Sequence, residues 1–253
     1  MKLLTCLFEL REGEALMVRF FLKINELLMR VVAPAYHSLK KSSFKEYPDP
    51  YKTITIKVDD VKHFFEDSKI RKLSIPGGIK SGDWDKKIRS REYIFQNSDK
   101  YNGLRQHFLE GVPWGNTILF TGRYQKMINE GKKVKGVKTL SELAKIYQKY
   151  DDLYCNLKEN GLVSHEQNIQ IDPIYIYIGR RGEIIYTSNG NHRLYMSFFL
   201  GIKTMPVRVW WRHSLWQEIR VNYAAMSMDE RGKKYPDLIG HPDLVEFEEG
   251  SHG

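Results

Sequence analysis

The sequence predicts an α/β (α+β) fold in which a small mixed sheet is flanked by helices and preceded by a helical arm. Three observations predict it. Runs with strand period occur at 52–58 (KTITIKV), 174–187 (IYIYIGRRGEIIYT) and 205–211 (MPVRVWW). Runs with helix period lie between and beside them, the clearest at 139–160 and 191–200. A chain of 253 residues, 42% of them apolar, has room for a substantial core in one domain or two.

Taken in order, residues 14–34 (EALMVRFFLKINELLMRVVAP) read as one long amphipathic helix closed by Pro34. Arg19, Lys23, Glu26 and Arg30 fall in one narrow stripe, and four charges argue against a bilayer span. The apolar remainder suits packing on the core, contact with a second copy in a homodimer, or contact with a membrane surface. "YPDPYKT" is a proline-punctuated break, after which Ile54, Ile56 and Val58 share one strand face. "IPGGIKSGDWD" reads as a glycine-rich loop ending in Asp83 and Asp85, and "EGKKVKGVK" as an exposed loop. The helix at 139–160 has a capping-box pair in Thr139 and Glu142 and a stop in Gly161. Its Leu143, Tyr147, Tyr150, Tyr154 and Leu157 line one face, which reads as core. The 174–187 run is a hairpin around Gly179-Arg180-Arg181-Gly182. A helix from about Asn191 ends at Gly201 with a Schellman pattern, and "HSLWQEIRVNYAAM" forms a last helix before an acidic, mobile tail, "HPDLVEFEEGSHG".

The formal charge is +9, unevenly spread. Residues 101–150 carry nine Lys/Arg against three Asp/Glu, whereas 151–253 carry eleven against fourteen. Such a balance suits either a polyanionic partner or a solvated lysine-rich face. Cys6 and Cys155 form no disulfide framework or CxxC zinc pattern, which points to a reducing, cytoplasmic setting. "MKLLTCLFELRE" opens like a signal peptide, but Glu9 interrupts the apolar run.

The polar cluster "TSNGNHR" between a strand and a helix is the strongest functional signal. A helix N-terminus offers unpaired N–H groups and a positive dipole end, a natural anion site. Gly190 permits a tight turn and close approach of a ligand; Ser188 and Asn191 add polar atoms. His192 can donate one hydrogen bond, and Arg193 can grip a phosphate with two. An arginine in a first turn opposes the dipole, which an intervening anion would relieve. Capping and a structural ion pair for Arg193 are the competing explanation.

The segment "GEIIYTSNGNHRLYMSFFLGIKTMPVRV" resembles the ParB/sulfiredoxin superfamily, where a strand, a Gly-any-His-Arg type turn, a helix, "LG" and a "PV" strand recur in this order. The resemblance covers about residues 172–212, with 52–58 supplying an earlier strand. It implies that Ser188, Gly190, Asn191, His192 and Arg193 bind nucleotide phosphates. It also implies ATP, ADP or CTP with Mg²⁺ as ligand, within a domain at about 46–221. That domain would carry a helical insertion at about 86–165, an arm at 1–45 before it and a tail at 222–253 after it. "GDWD", "HFLEGVPWGNT" and "WRHSLWQEIR" resemble a branch seen mainly in archaea and their viruses. Three departures narrow the reading. Asn191 stands where a sulfiredoxin has its cysteine, so sulfinic-acid repair is not expected. The turn has one arginine, and no DNA-reading module follows it as in partition proteins. Asn189 replaces the acidic residue of the free-serine kinases.

Two activities follow. One is a phosphotransferase or nucleotide hydrolase, with Asp83 and Asp85 as base or Mg²⁺ ligands and a nucleotide or phosphorylated small molecule as partner. The other is a nucleic-acid-binding protein or nuclease, with Arg123, Lys126, Lys132, Lys133, Lys135 and Lys138 along a phosphate backbone. A third possibility is a binding protein in which the pocket serves only as a switch.

Overall fold

A computed structural model of the chain describes residues 33–66, 76–131, 133–162, 173–187 and 190–249. The chain divides into two compact units, Met1–Pro48 and Asp49–Gly253. In the first, residues 33–43 are helical (α1), and His37 Nδ1 lies 2.8 Å from the Tyr47 hydroxyl. The predicted arm helix falls almost entirely outside the described residues. Pro34 is the second of the described helical residues 33–43, and the helix end expected at it falls outside the described residues.

The second unit is mixed α/β. Its strands are β1 (Thr53–Lys57), β2 (His63–Phe65), β3 (Gly78–Lys80), β4 (Ile88–Ser90), β5 (Ile174–Ile178), β6 (Ile184–Tyr186) and β7 (Thr204–His213). They form one sheet in the order β1-β7-β5-β6-β2-β4, with β3 also paired to β7. β7 is long enough to serve two partners, antiparallel β1 along 204–208 and parallel β3 along 211–213. β3 corrects the loop expected at 75–85. A lone isoleucine between a glycine and a lysine carries little strand signal, and pairing with β7 supplies what the local sequence lacks.

Alternation splits the apolar residues between the two faces of the sheet. Ile174, Ile176, Ile178, Ile184, Tyr186 and Phe64 enter the main core, while Tyr177, Ile185 and Phe65 turn to the other face. Along β7, Met205, Val207 and Val209 belong to the main core, yet Trp211 faces the other side. The register against β5 slips between Ile176/Tyr177, where Ile176 pairs with Val209 and Tyr177 with Trp211. The extra residue, Trp210, reverses the alternation. Trp211 therefore stacks on Tyr177 at 5.0 Å and meets Trp84 edge-on at 5.9 Å.

The helices are α2 (Arg91–Asn97), α3 (Asp99–Phe108), α4 (Ile118–Glu130), α5 (Leu140–Asn160), α6 (Asn191–Leu200), α7 (Ser214–Ala224), α8 (Met228–Lys234) and α9 (Val245–Glu249). α5 begins at the expected capping box and buries Leu143, Tyr147, Tyr150 and Leu157. α6 closes as a Schellman motif, Ile202 N–H donating to Ser197 O at 3.0 Å and Gly201 N–H to Phe198 O at 3.3 Å. α3 packs on α4 and α6, and α5 on α6, so the insertion packs against α6. No helix among the described residues is long and apolar enough to cross a membrane.

The C-terminal residues 241–249 are not the mobile tail expected. Asp243 is 3% exposed, its carboxylate held by Arg212 Nη2 (2.6 Å), Arg220 Nη1 (3.0 Å) and Trp216 Nε1 (2.8 Å). Arg220 also donates to the Asp243 carbonyl and reaches Glu246 at 2.6 Å. An acidic segment is soluble by itself but becomes an anchor when two buried guanidinium groups need its charge.

Candidate functional site

The turn after β6 reaches α6 through Gly190, the helix N-cap, whose φ of 81° is left-handed. A Cβ there would stand 3.0 Å from Arg193 Nη2 and 3.3 Å from Ile174 Cγ1, so the arginine folds back over the turn against the glycine. Gly190 has no side chain to accept from the first N–H groups of α6, and the first turn holds no acidic residue. Asn191, His192 and Arg193 thus share the helix start, as the sequence indicated, while Ser188 lies outside the described residues.

His192 is partly buried and stacks on Tyr150 at 4.4 Å. Its Nε2 and the Asn191 Oδ1 are buried without hydrogen-bond partners among the described residues. Burial, then the positive charges of Lys100, Lys135, Arg123 and Arg193, push the imidazole down to about 3, so it is neutral near pH 7. The same group of cations acts on itself. Burial, then Lys135 and Arg123, lowers Lys100 to about 8; burial and Arg123 lower Lys135 as well. Among the described residues, the charges shifting these three groups are cationic. Arg123 Nη1 donates to the Tyr147 and Tyr150 hydroxyls at 3.2 and 3.5 Å, which are neutral partners. A cleft of about 450 Å³ between α3 and α4 opens beside Lys100 and Arg123. The cleft is lined by the acids Asp99 and Glu130 as well as by Lys100, Arg123 and Lys126.

Asp83 and Asp85 lie elsewhere. Asp85 Oδ2 accepts from Arg180 N (3.0 Å) and Nε (2.8 Å), and its Oδ1 accepts from Arg180 Nη2 at 2.6 Å. Asp83 Oδ1 accepts from Arg180 Nη2 at 2.8 Å and from Lys86 Nζ at 3.0 Å. Burial opposes ionisation of Asp85, but the bonds from Arg180 outweigh it and hold the carboxyl below its ordinary range. His213 Nδ1 accepts from Leu215 N–H, so its Nε2–H donates to Gly82 O at 2.8 Å and closes the same loop. Arg180 is at the hairpin tip, whereas Gly190 approaches Ile174 at the far end of β5. A five-residue strand separates them, on the order of 15 Å. The structure does not bring the aspartates to the turn, and both carboxylates are engaged by arginine rather than open to Mg²⁺. Among the described residues no group of three or more His, Cys, Asp or Glu is placed to hold a metal ion.

The basic segment divides. Lys126, Lys133, Lys135 and Lys138 are exposed, whereas Arg123 is partly buried; the charges of Arg123 and Lys135 act on His192, and Lys132 lies outside the described residues. Lys135 was expected in an exposed loop, and it is exposed, at the tip of a tight turn in which Val134 and Val137 pair, each N–H donating to the other's carbonyl at 3.0 Å. Lys100 and Tyr150 were missed. Lys100 offered one sequence signal, a cation in the first turn of a helix capped by Ser98, the same wrong-sign placement that marked Arg193.

Comparison with protein-family models, with curated proteins and with solved structures finds no match to this chain.

Proposed function

We propose that the chain binds a phosphate-bearing ligand, a nucleotide or a phosphorylated small molecule, at the N-terminus of α6. The observation that carries this reading is a His192 whose buried Nε2 has no hydrogen-bond partner among the described residues, with the charges of Lys100, Lys135, Arg123 and Arg193 acting on it. Burial penalises the Lys100 ammonium, and a bound anion would offset part of that cost. The uncapped start of α6 adds backbone donors and the positive dipole end. The resemblance to the ParB/sulfiredoxin turn points to Ser188, Gly190, Asn191, His192 and Arg193, two of which, His192 and Arg193, belong to this group. Phosphoryl transfer draws no support from Asp83 and Asp85, which serve Arg180, so the reading is of binding.

The test is thermal unfolding with orthophosphate, AMP, ADP, ATP and CTP, each with and without Mg²⁺. Stabilisation that saturates with at least one of them, and is absent in Arg193→Ala, is the expected result. A chain indifferent to all of them at millimolar concentration would sink the reading.

A further inference from the structure

We propose that Lys100 is a nucleophilic amine, placed in the cleft between α3 and α4 to form a reversible imine with a small aldehyde or ketone that carries a carboxylate. Its position follows from how the two helices meet. Gln106 Oε1 accepts from the Ile118 N–H at 2.8 Å, and Gly103 lies against Leu119, where an added Cβ would stand 2.2 Å from the Leu119 Cβ. The helices therefore run antiparallel. Three residues further back along α3, on the order of 4.5 Å, Lys100 comes opposite Gly122 and Arg123. All three line the cleft of about 450 Å³. A Cβ added to Gly122 would meet nothing within 4 Å, so this side of α4 leaves room beside the amine.

The amine differs from the other lysine of the cleft. Lys126 is exposed, whereas Lys100 is partly buried and has no hydrogen bond or ion pair among the described residues. The charged and titratable groups around it are Asp99 on α3, Arg123, Lys126 and Glu130 on α4, Lys135 on the connection after α4, and His192 on α6. The two acids belong to the cleft lining without bonding to the amine. Burial first, then Lys135 and Arg123, bring Lys100 to about 8. Roughly a tenth of it is then free base near pH 7, the form that attacks a carbonyl carbon. Arg123 binds only the neutral hydroxyls of Tyr147 and Tyr150, through Nη1, and its other N–H donors suit a carboxylate on the same substrate. The step balances without a further reactant. The nitrogen bonds the carbonyl carbon, the carbon–oxygen bond breaks, and the oxygen leaves as water with two of the three ammonium protons. The product is a protonated imine, which draws electrons from the neighbouring carbon.

Pyruvate with sodium cyanoborohydride, which reduces the imine to a stable secondary amine, tests the inference on the full chain, with peptide mapping by mass spectrometry. The rate at each lysine is taken relative to that of a free lysine amide, and acetone serves as the uncharged comparison. Lys100 is expected to react at least about tenfold faster than Lys126, from its larger unprotonated fraction. Its rate should be half-maximal near pH 8. Its relative rate with pyruvate should exceed that with acetone at least about threefold, the effect of a charged hydrogen bond from Arg123. Lys100→Arg should remove this adduct and leave those on exposed lysines. Modification of Lys100 no faster than of Lys126 overturns the nucleophile. Equal relative rates with pyruvate and acetone overturn the carboxylate-bearing substrate. Because neither probe carries phosphate, this inference and the reading at the α6 turn fail separately.

Discussion

Arg193 and His192 are neighbours with different work to do at the same helix start. The guanidinium can give two parallel charged hydrogen bonds, whereas a neutral imidazole gives one. Arg193→Ala should therefore cost on the order of 1.5–3 kcal/mol per charged bond lost, tenfold or more in affinity for a phosphate ligand, and His192→Ala less. Titration calorimetry of the two variants checks the order, and an equal loss would count against it. His192 also leaves a pH signature. Its folded-state value is depressed from 6.5 to about 3, so the unfolded chain takes up a proton that the folded chain refuses. Stability from this residue is complete above pH 6.5 and is lost as pH falls through that window towards 3. The ligand-free protein should lose more stability on acidification from pH 7 to pH 4 than His192→Asn does, as measured by urea midpoints. The cluster was half legible from sequence. Gly190, Asn191, His192 and Arg193 announce themselves because four chemical groups stand in four consecutive positions. Asp85 and Arg180 do not, because their pairing spans 95 residues and nothing local marks either as the other's partner.

Among the elements, those with strong internal pattern were readable and those made by pairing were not. The alternation in β5 and β6, the capping box of α5 and the Schellman end of α6 are local, and each formed where the residues indicated. β3, three residues long, exists through β7, and the bulge at Trp210 is a property of two strands together. The α3–α4 crossing is of the second kind. Gly103 has Leu119 Cβ so near that a Cβ on the glycine would lie 2.2 Å from it and 2.9 Å from the Leu119 backbone nitrogen. Gly103→Ala should push α3 from α4 and destabilise the fold by about 1–3 kcal/mol or more, as overpacking does. Because Lys100 and Arg123 sit on those two helices, the same change should weaken ligand binding without touching a ligand contact. A variant with parental melting and parental affinity would show that the helices part at no cost. The Lys135 turn gives the opposite expectation. Lys135→Gly should relieve a left-handed strain of about 1 kcal/mol, leaving the free protein no less stable while binding weakens.

At the scale of the whole second unit, the sheet is tied to the C-terminal segment by one carboxylate. Burial works against ionisation of Asp243, but Arg212 and Arg220 more than compensate and hold it far below the ordinary carboxylate range. Replacing Asp243 with Ala strands two buried guanidinium groups and should cost about 3–5 kcal/mol in chemical denaturation. Because the depressed group is an acid, the stability it contributes is present above about pH 4 and drains away below it, and Asp243→Asn should flatten that part of the profile. The bond also sets an order of events while the chain is being made. Translation delivers Arg212 and Arg220 first, on β7 and α7, and Asp243 only afterwards. Until residue 243 clears the ribosome, both arginines must keep their hydration, so the layer of α7 against β7 cannot dry out. β7 is consequently among the last pieces to settle, although the strands on either side of it, β1 and β5, are synthesised before it.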